Sequence, residues 1–480
     1  MPGRTLLAAR WLIGHENGRH VILEDGELVL EDGRVVFAGH NFPGEVGERR
    51  DFGEAVIMPG FVDLDALSDL DTTILGYDTF PAWKTGRVWP ETYLARGPYE
   101  MYTAEELAFQ KRFAFAELIR NGITTALPIA SLFYRAWGET VAEFEAAADA
   151  AEALGLRVYL GPAYRTGNQV VDAAGTIRPV YDEARGLAEL DAAADFARRI
   201  EGRAGGRIRA MFAPDRIETS TATLLKRTAD IAAGMGAPVR LHCCQSPTEL
   251  ALVADQHSTT PAVWLDSLGV LSERWLLPHG THAGADDFAA MRAAGASLVH
   301  CPLVSARHGG ALKTFPRLRA EGLNIAMGTD TWPADMILNM QVGMMTARII
   351  EGSPTAVRSE DYFDAATVGG ADALGRPDLG RLAVGAKADV AVVALDRTLA
   401  GTDPVQSLMT SASGRDVTDV YIDGRPVMTD RIVRGIDDAA DFARARKQFA
   451  GLIARYPDRT LGHPPVERIF SSSYERVRVS

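Results

Sequence analysis

The sequence predicts an α/β protein: a (β/α)8 TIM-like barrel carrying a small β-sandwich built from both chain ends. Three observations predict it. Between about residues 57 and 375, short apolar runs alternate with alanine-rich stretches of helical character, in eight units. Such alternation implies a parallel sheet covered by helices, and eight units favour closure into a barrel. Residues 5–56 and 388–427 share a different texture, short β-like runs punctuated by Asp-Gly, which signals hairpins. The expected units are therefore 1–56 with 385–435 as the β-sandwich, 57–384 as the barrel, and 436–480 as a C-terminal helix and tail.

The elements follow in chain order. Val21-Ile22-Leu23 and Glu27-Leu28-Val29-Leu30 lead to the turn Asp32-Gly33 and the run Val35-Val36-Phe37-Ala38. The barrel strands are predicted at 56–64, 123–128, 157–161, 208–212, 239–241, 275–277, 297–299 and 324–327. Each is a short apolar run of the length that strands take. Helices are predicted at 103–120, 140–154, 187–200, 220–234 and 285–294. The runs at 388–393 and 417–427, the latter with Asp423-Gly424, return the hairpin texture. A last helix is expected at 439–455, ahead of an extended tail.

Composition narrows the function classes. At 480 residues, 47% hydrophobic and 24% charged, the chain is an ordinary globular protein. Its net charge of −13 argues against a nucleic-acid or anionic-membrane surface and says little about a small-molecule substrate, the partner expected on other grounds. No apolar run reaches the roughly 18 residues of a membrane span. The apolar run between Arg4 and Arg10 is too short for a signal peptide, so the cytoplasm is the expected compartment. Three cysteines, Cys243, Cys244 and Cys301, form no disulfide framework and read as buried small apolar residues.

Several predicted strands end in a polar residue: His242, His279, His300 and Asp330. A lone strand-end histidine is more often structural than catalytic. Several on successive strands, with a carboxylate on the last, converge on the C-terminal mouth of one barrel, where barrel chemistry sits.

These segments carry a resemblance. Met58-Pro59-Gly60-Phe61-Val62-Asp63, Arg240-Leu241-His242, Leu277-Pro278-His279-Gly280-Thr281-His282, Val299-His300-Cys301-Pro302 and Gly328-Thr329-Asp330 together resemble the amidohydrolase superfamily, most closely its cytosine deaminase and triazine hydrolase (chlorohydrolase-like) branch. In that branch one divalent metal, zinc or iron, is held by a first-strand His-x-His pair, a fifth-strand His and an eighth-strand Asp. The resemblance implies Asp65, His242 and Asp330 as metal ligands. It implies His279 and Asp330 as catalytic residues. Gln245 stands where the branch commonly has a proton-shuttling Glu; glutamine hydrogen-bonds but does not exchange a proton near neutral pH. The His-x-His pair is replaced by Asp65 and Leu67, so the metal is expected to be weakly held or absent. In the empty-site alternative, Asp65 hydrogen-bonds His242 or His279.

The loop after the first strand is rich in aromatics, among them Tyr77, Phe80, Trp83, Trp89, Tyr93, Tyr99 and Tyr102. They wall a pocket, pack the loop down, or form a homodimer contact; the sequence leaves these open. The acidic positions Asp63, Asp69, Asp71 and Asp78 surround the altered motif; such a carboxylate run is able to bind a cation but is more often a solvated loop. Expected substrate contacts are Trp83, Trp89, Arg165, Ser305, His308 and Trp332, with Tyr164, Asp215, Arg216 and Arg307 similarly placed. The function expected is hydrolysis of a non-peptide C–N bond, of deaminase or chlorohydrolase type, in a cyclic amidine-like or N-heterocyclic small molecule. Metal-independent lyase or isomerase chemistry in the same pocket, and a non-catalytic ligand-binding protein, are the alternatives.

Overall fold

The computed structural model of the chain describes residues 3–70, 88–129, 131–399 and 403–477. Trp83, Tyr77, Phe80, Asp71 and Asp78 lie outside the described residues, as does the side chain of Leu67.

Eight parallel strands form one sheet: β1 (Phe61–Leu67), β2 (Ile123–Ile129), β3 (Arg157–Leu160), β4 (Ile208–Ala210), β5 (Val239–Arg240), β6 (Trp275–Pro278), β7 (Ser297–His300) and β8 (Ile325–Met327). Their order is β4-β3-β2-β1-β8-β7-β6-β5. A parallel bridge between Phe212 and Val239, with Arg240 N donating to Phe212 O at 2.9 Å, joins β4 to β5 and closes the ring. Buried on both faces, such strands need no polar alternation, and Trp275–Pro278 is buried at every position.

Alternate residues divide between two cores. Val62, Leu64, Leu127, Tyr159, Met211, Leu276, Val299 and Ala326 cluster inside the ring. Their neighbours Phe61, Val158, Leu277, Leu298 and Met327 join the larger core beneath the helices. The period-2 alternation of strand side chains dictates that division. The helices start where their caps allow. Thr103 and Glu106 form a capping box on Ala104–Arg120, and Thr140 caps Val141–Leu154.

Both chain ends join one nine-stranded sheet, in which Val390–Ala394 pairs antiparallel with Ala55–Pro59. Thr5–Glu16 and Arg19–Glu31 form its longest hairpin. A buried ion pair ties this sheet to the barrel. Arg157 of β3 meets Asp389 at 2.9 Å and Asp423 at 2.7 Å.

The sequence reading anticipates no strands between β3 and β4, yet Gly167–Val171 and Ile177–Tyr181 form a hairpin that Trp89–Pro90 joins. Tyr93, Met101, Tyr102, Tyr134 and Trp137 pack with Leu452, Tyr456 and Ile469 of the C-terminal segment. That segment opens with the helix Asp438–Arg455. Among the described residues, no helix is long and apolar enough to cross a membrane.

Candidate active site

The site is assembled from the C-terminal ends of β1, β5, β6 and β8. On β1 the pairing with β2 slips: Asp63 faces Ala126 while Ala66 faces Pro128, so three steps on one strand match two on the other. The extra residue is a β-bulge, a device that re-aims a side chain beside a site. It lies beside Asp65, which is fully buried. Asp63, one pleat earlier, accepts from Thr329 N at 3.0 Å and Thr329 Oγ1 at 2.6 Å, stitching β1 to the end of β8. Burial pushes its carboxyl up to about 7, against the pull of those hydrogen bonds. Gly328 permits the close approach: a Cβ there would lie 2.5 Å from Asp65 Cβ and 3.0 Å from Cys301 Sγ. Asp330 N then donates to Asp65 O at 2.8 Å.

On β5 and just beyond it, Arg240 and His242 share the inward face. Arg240 Nη1 lies 2.9 Å from Asp65 Oδ1 and 3.3 Å from His242 Nε2. His242 Nδ1 lies 2.7 Å from the carbonyl oxygen of Asp215. A carbonyl only accepts, so Nδ1 carries the hydrogen and Nε2 of the neutral ring presents a lone pair. The His279 ring stacks on His242, centroids 5.3 Å apart. His279 adopts φ 81° and Asp330 φ 44°. Both lie in the left-handed region that non-glycine residues enter at a cost, and such residues concentrate at functional sites. His279 Nε2 stands 3.8 Å from Asp330 Oδ2, is buried, and has no hydrogen-bond partner among the described residues.

The electrostatics follow from burial. Burial, then the charge of Asp65, raises the Asp330 carboxyl well above the ordinary range. Burial and the nearby arginines hold His242 and His279 well below the usual imidazole value. Asp65 is raised by burial while Arg240 pulls it down.

A pocket opens over His242, His279 and Asp330, and Trp89, Arg165, Gln245, Ser305 and His308 line it. Gln245 Oε1 accepts from Arg216. Arg165 donates to Asn168 Oδ1 at 2.8 Å and lies over the Trp89 ring at 5.1 Å. Ser305 Oγ is 3.2 Å from Thr281 Oγ1. Trp332 is placed differently: its ring stacks on Phe113, and it does not line this pocket.

Tyr164 turns to the helix side and bonds Thr228. His300, expected at the mouth, packs outward against Phe315 and Tyr362. The pleat requires it: Val299 and Cys301 face inward, so the residue between them cannot. Asp65 pairs with Arg240, where the sequence offered His242 or His279 as its hydrogen-bond partner. Arg240 stands two residues before His242 on the same strand face, a relation that singles it out only once that face is known to be the barrel axis.

Donor atoms of Asp65, His242 and His279 lie within 4.8 Å of one another. Those of Cys243, Cys244 and Glu249 do so too, but the Glu249 oxygens already accept from the amides of Cys244 and Gln245.

Residues 56–427 match the profile of the amidohydrolase family. The chain belongs to the amidohydrolase family. Among its amidohydrolase relatives is a 5-methylthioadenosine/S-adenosylhomocysteine deaminase of Haloquadratum walsbyi, 30% identical over 86% of this chain and 88% of the relative. The enzyme of the same name from Halobacterium salinarum is 28% identical over 90% of this chain and 95% of its own. In fold, the chain resembles a zinc-bound adenosine deaminase from Xanthomonas campestris (23% identical, TM-score 0.77, covering 94% of this chain and 98% of that one). It also resembles a zinc-bound atrazine chlorohydrolase from Arthrobacter aurescens (18% identical, TM-score 0.73, covering 92% and 99%).

Proposed function

We propose that the chain is a hydrolase of a non-peptide C–N bond, acting as a deaminase on an amino-substituted N-heterocyclic small molecule. Water adds its oxygen to the ring carbon, and the exocyclic amino group leaves as ammonia. The observation that carries this reading is the placement of Asp330 and His279 side by side beneath an aromatic- and arginine-lined pocket. The deaminase names of the relatives agree with it.

In this reading Asp330 takes the proton of the attacking water. A carboxylate held above the ordinary range by burial and the neighbouring Asp65 charge is a stronger base there than one of ordinary pKa. His279 Nε2, without a hydrogen-bond partner among the described residues, hydrogen-bonds the reacting centre. Gln245, held by Arg216, orients the heterocycle, with Trp89 and Arg165 beside it and Ser305 and His308 across the pocket. Trp83, which lies outside the described residues, completes the expected contact set, and Trp332, stacked on Phe113 away from the pocket lining, is left out of it. The barrel unit is taken as 57–384, with 1–56 and 385–435 as the β-sandwich and 436–480 packed on the barrel. The cytoplasm is taken as its compartment, in line with three free cysteines.

The family's divalent metal, zinc or iron, polarises water when bound. The resemblance would give it Asp65, His242 and Asp330. The residues do not fit it as they stand, because a guanidinium nitrogen already lies within hydrogen-bond distance of Asp65 Oδ1 and His242 Nε2. No step above runs through a metal. The same observation favours a second reading, acid/base elimination or isomerisation by the carboxylates and His279. Ammonia release together with incorporation of ¹⁸O from labelled water, over a panel of aminopurine nucleosides, aminopyrimidines and aminotriazines, separates the two: hydrolytic deamination yields ammonia and a labelled ring carbonyl, whereas neither elimination nor isomerisation puts water oxygen on the ring carbon.

A further inference from the structure

We propose that Arg240 is a built-in replacement for the metal: its guanidinium fills the cation position between Asp65 and His242, so the barrel holds no divalent ion there. Four observations carry it. Arg240 Nη1 reaches both atoms that would ligate a metal, Asp65 Oδ1 at 2.9 Å and His242 Nε2 at 3.3 Å. The two acceptors stand 3.9 Å apart, so a zinc bonded to both, at roughly 2.0–2.2 Å from each, would lie against that nitrogen, cation on cation. The side chains are sealed, Arg240 at 2% exposure and Asp65 at 0%, so solvent does not screen the clash. The His242 tautomer, fixed by the Asp215 carbonyl, directs at Arg240 the lone pair a metal would need.

The pattern is consistent along the chain. β5 alternates Val239 and Leu241 into the outer core with Arg240 and His242 toward the axis. The inner positions of the other strands are largely apolar, so a charged residue at 240 is costly unless paired. Asp65 supplies the pair. The carboxylate at 65 and the arginine at 240 therefore depend on each other: a histidine at 65 would leave the guanidinium without a counter-charge. A planar guanidinium with several fixed N–H donors serves two acceptors at once. Arg240 is in this account a positioning residue: it fixes Asp65, whose main-chain carbonyl holds Asp330 N.

The inference does not rest on the proposed deamination, and its test reads zinc rather than turnover. Crystals of the wild-type protein are soaked in zinc and anomalous scattering is measured at the zinc edge. The expected map has no peak between Asp65 and His242. A peak there with Arg240 displaced overturns the proposal. Scattering beside Cys243, Cys244 and Glu249 would be a separate position and is resolved as such in the same map. The variant Arg240→Ala is expected to gain about one zinc per chain at Asp65, His242 and His279, since three protein ligands with one open position suffice for the ion. A folded Arg240→Ala protein that gains none overturns the claim that the guanidinium is what excludes metal. Should that variant not fold, Arg240→Lys keeps a positive charge on a shorter reach. No zinc peak in Arg240→Lys supports the proposal, and a zinc peak beside a retained lysine ammonium overturns it.

Discussion

Asp330 combines a left-handed backbone, a buried carboxylate raised by its surroundings and a place beside His279. Asp330→Asn keeps the shape and removes the base. General-base catalysis contributes about 10²–10⁴-fold, so ammonia release should fall by that factor in steady-state assays while the thermal midpoint changes little. Because the acid form of Asp330 persists above the ordinary carboxylate range, the acid-side decline of wild-type turnover should set in at higher pH than an ordinary carboxylate would give, and the Asn variant should lose that limb. His300 makes a separate point. Burial against Phe315 and Tyr362 lowers it to about 3. The folded state holds it neutral while the unfolded chain takes a proton below about 6.5. Its contribution is therefore fully present above that value and drains away as pH falls toward 3, at about 1.4 kcal/mol per pH unit. His300→Phe should flatten the acid side of the stability profile, measured by denaturant midpoints from pH 7 to pH 4. Asp330, His242 and His279 were legible as strand-end polar residues. Arg240 was not, because an arginine on a strand reads as an exposed or edge residue until the ring of strands shows that its face is the axis.

The bulge on β1 and the glycine opening the β8 loop act as one device. Asp63 fastens the two strands, the bulge lies beside Asp65, and Gly328 leaves room for it. Gly328→Ala would press a methyl into Asp65 and Cys301, and overpacking of this kind costs about 1–3 kcal/mol. Urea denaturation should show that loss, with ammonia release falling further than the stability change alone explains, since Asp65 O also holds Asp330 N. Strand positions were readable from apolar runs of the right length. The bulge was not, since an extra residue in a strand leaves no mark in a period-2 pattern of only seven residues. The hairpin at 167–181 was missed for a related reason: its strands are five residues each and mix polar with apolar positions without clear alternation.

The two ends of the chain meet in one sheet, and Arg157 anchors that sheet to β3. With Asp389 4% and Arg157 1% exposed, the pair is buried, and removing one partner strands the other charge at a cost of about 3–5 kcal/mol. Arg157→Met should lower the denaturant midpoint accordingly. Circular dichroism and tryptophan fluorescence should report one shared transition, with Trp11 and Trp275 in the same core. That 5–56 and about 385–430 share a sheet was legible in the repeated Asp-Gly texture at both ends, while the observed pairing runs on to Pro59 and Val433. The tie through Arg157 was not, since it joins residues 232 positions apart.

That the barrel keeps an amidohydrolase frame yet seats a guanidinium between Asp65 and His242 leads to a single decisive assay. The protein is stripped by prolonged dialysis against chelator, its zinc and iron content is verified by elemental analysis, and the rate of ammonia release from the amino-heterocycle panel is compared before and after. The account predicts that the substrate turned over by untreated protein is turned over at an undiminished rate by stripped protein, and that added zinc does not raise it. Turnover that vanishes on stripping and returns with zinc would contradict it.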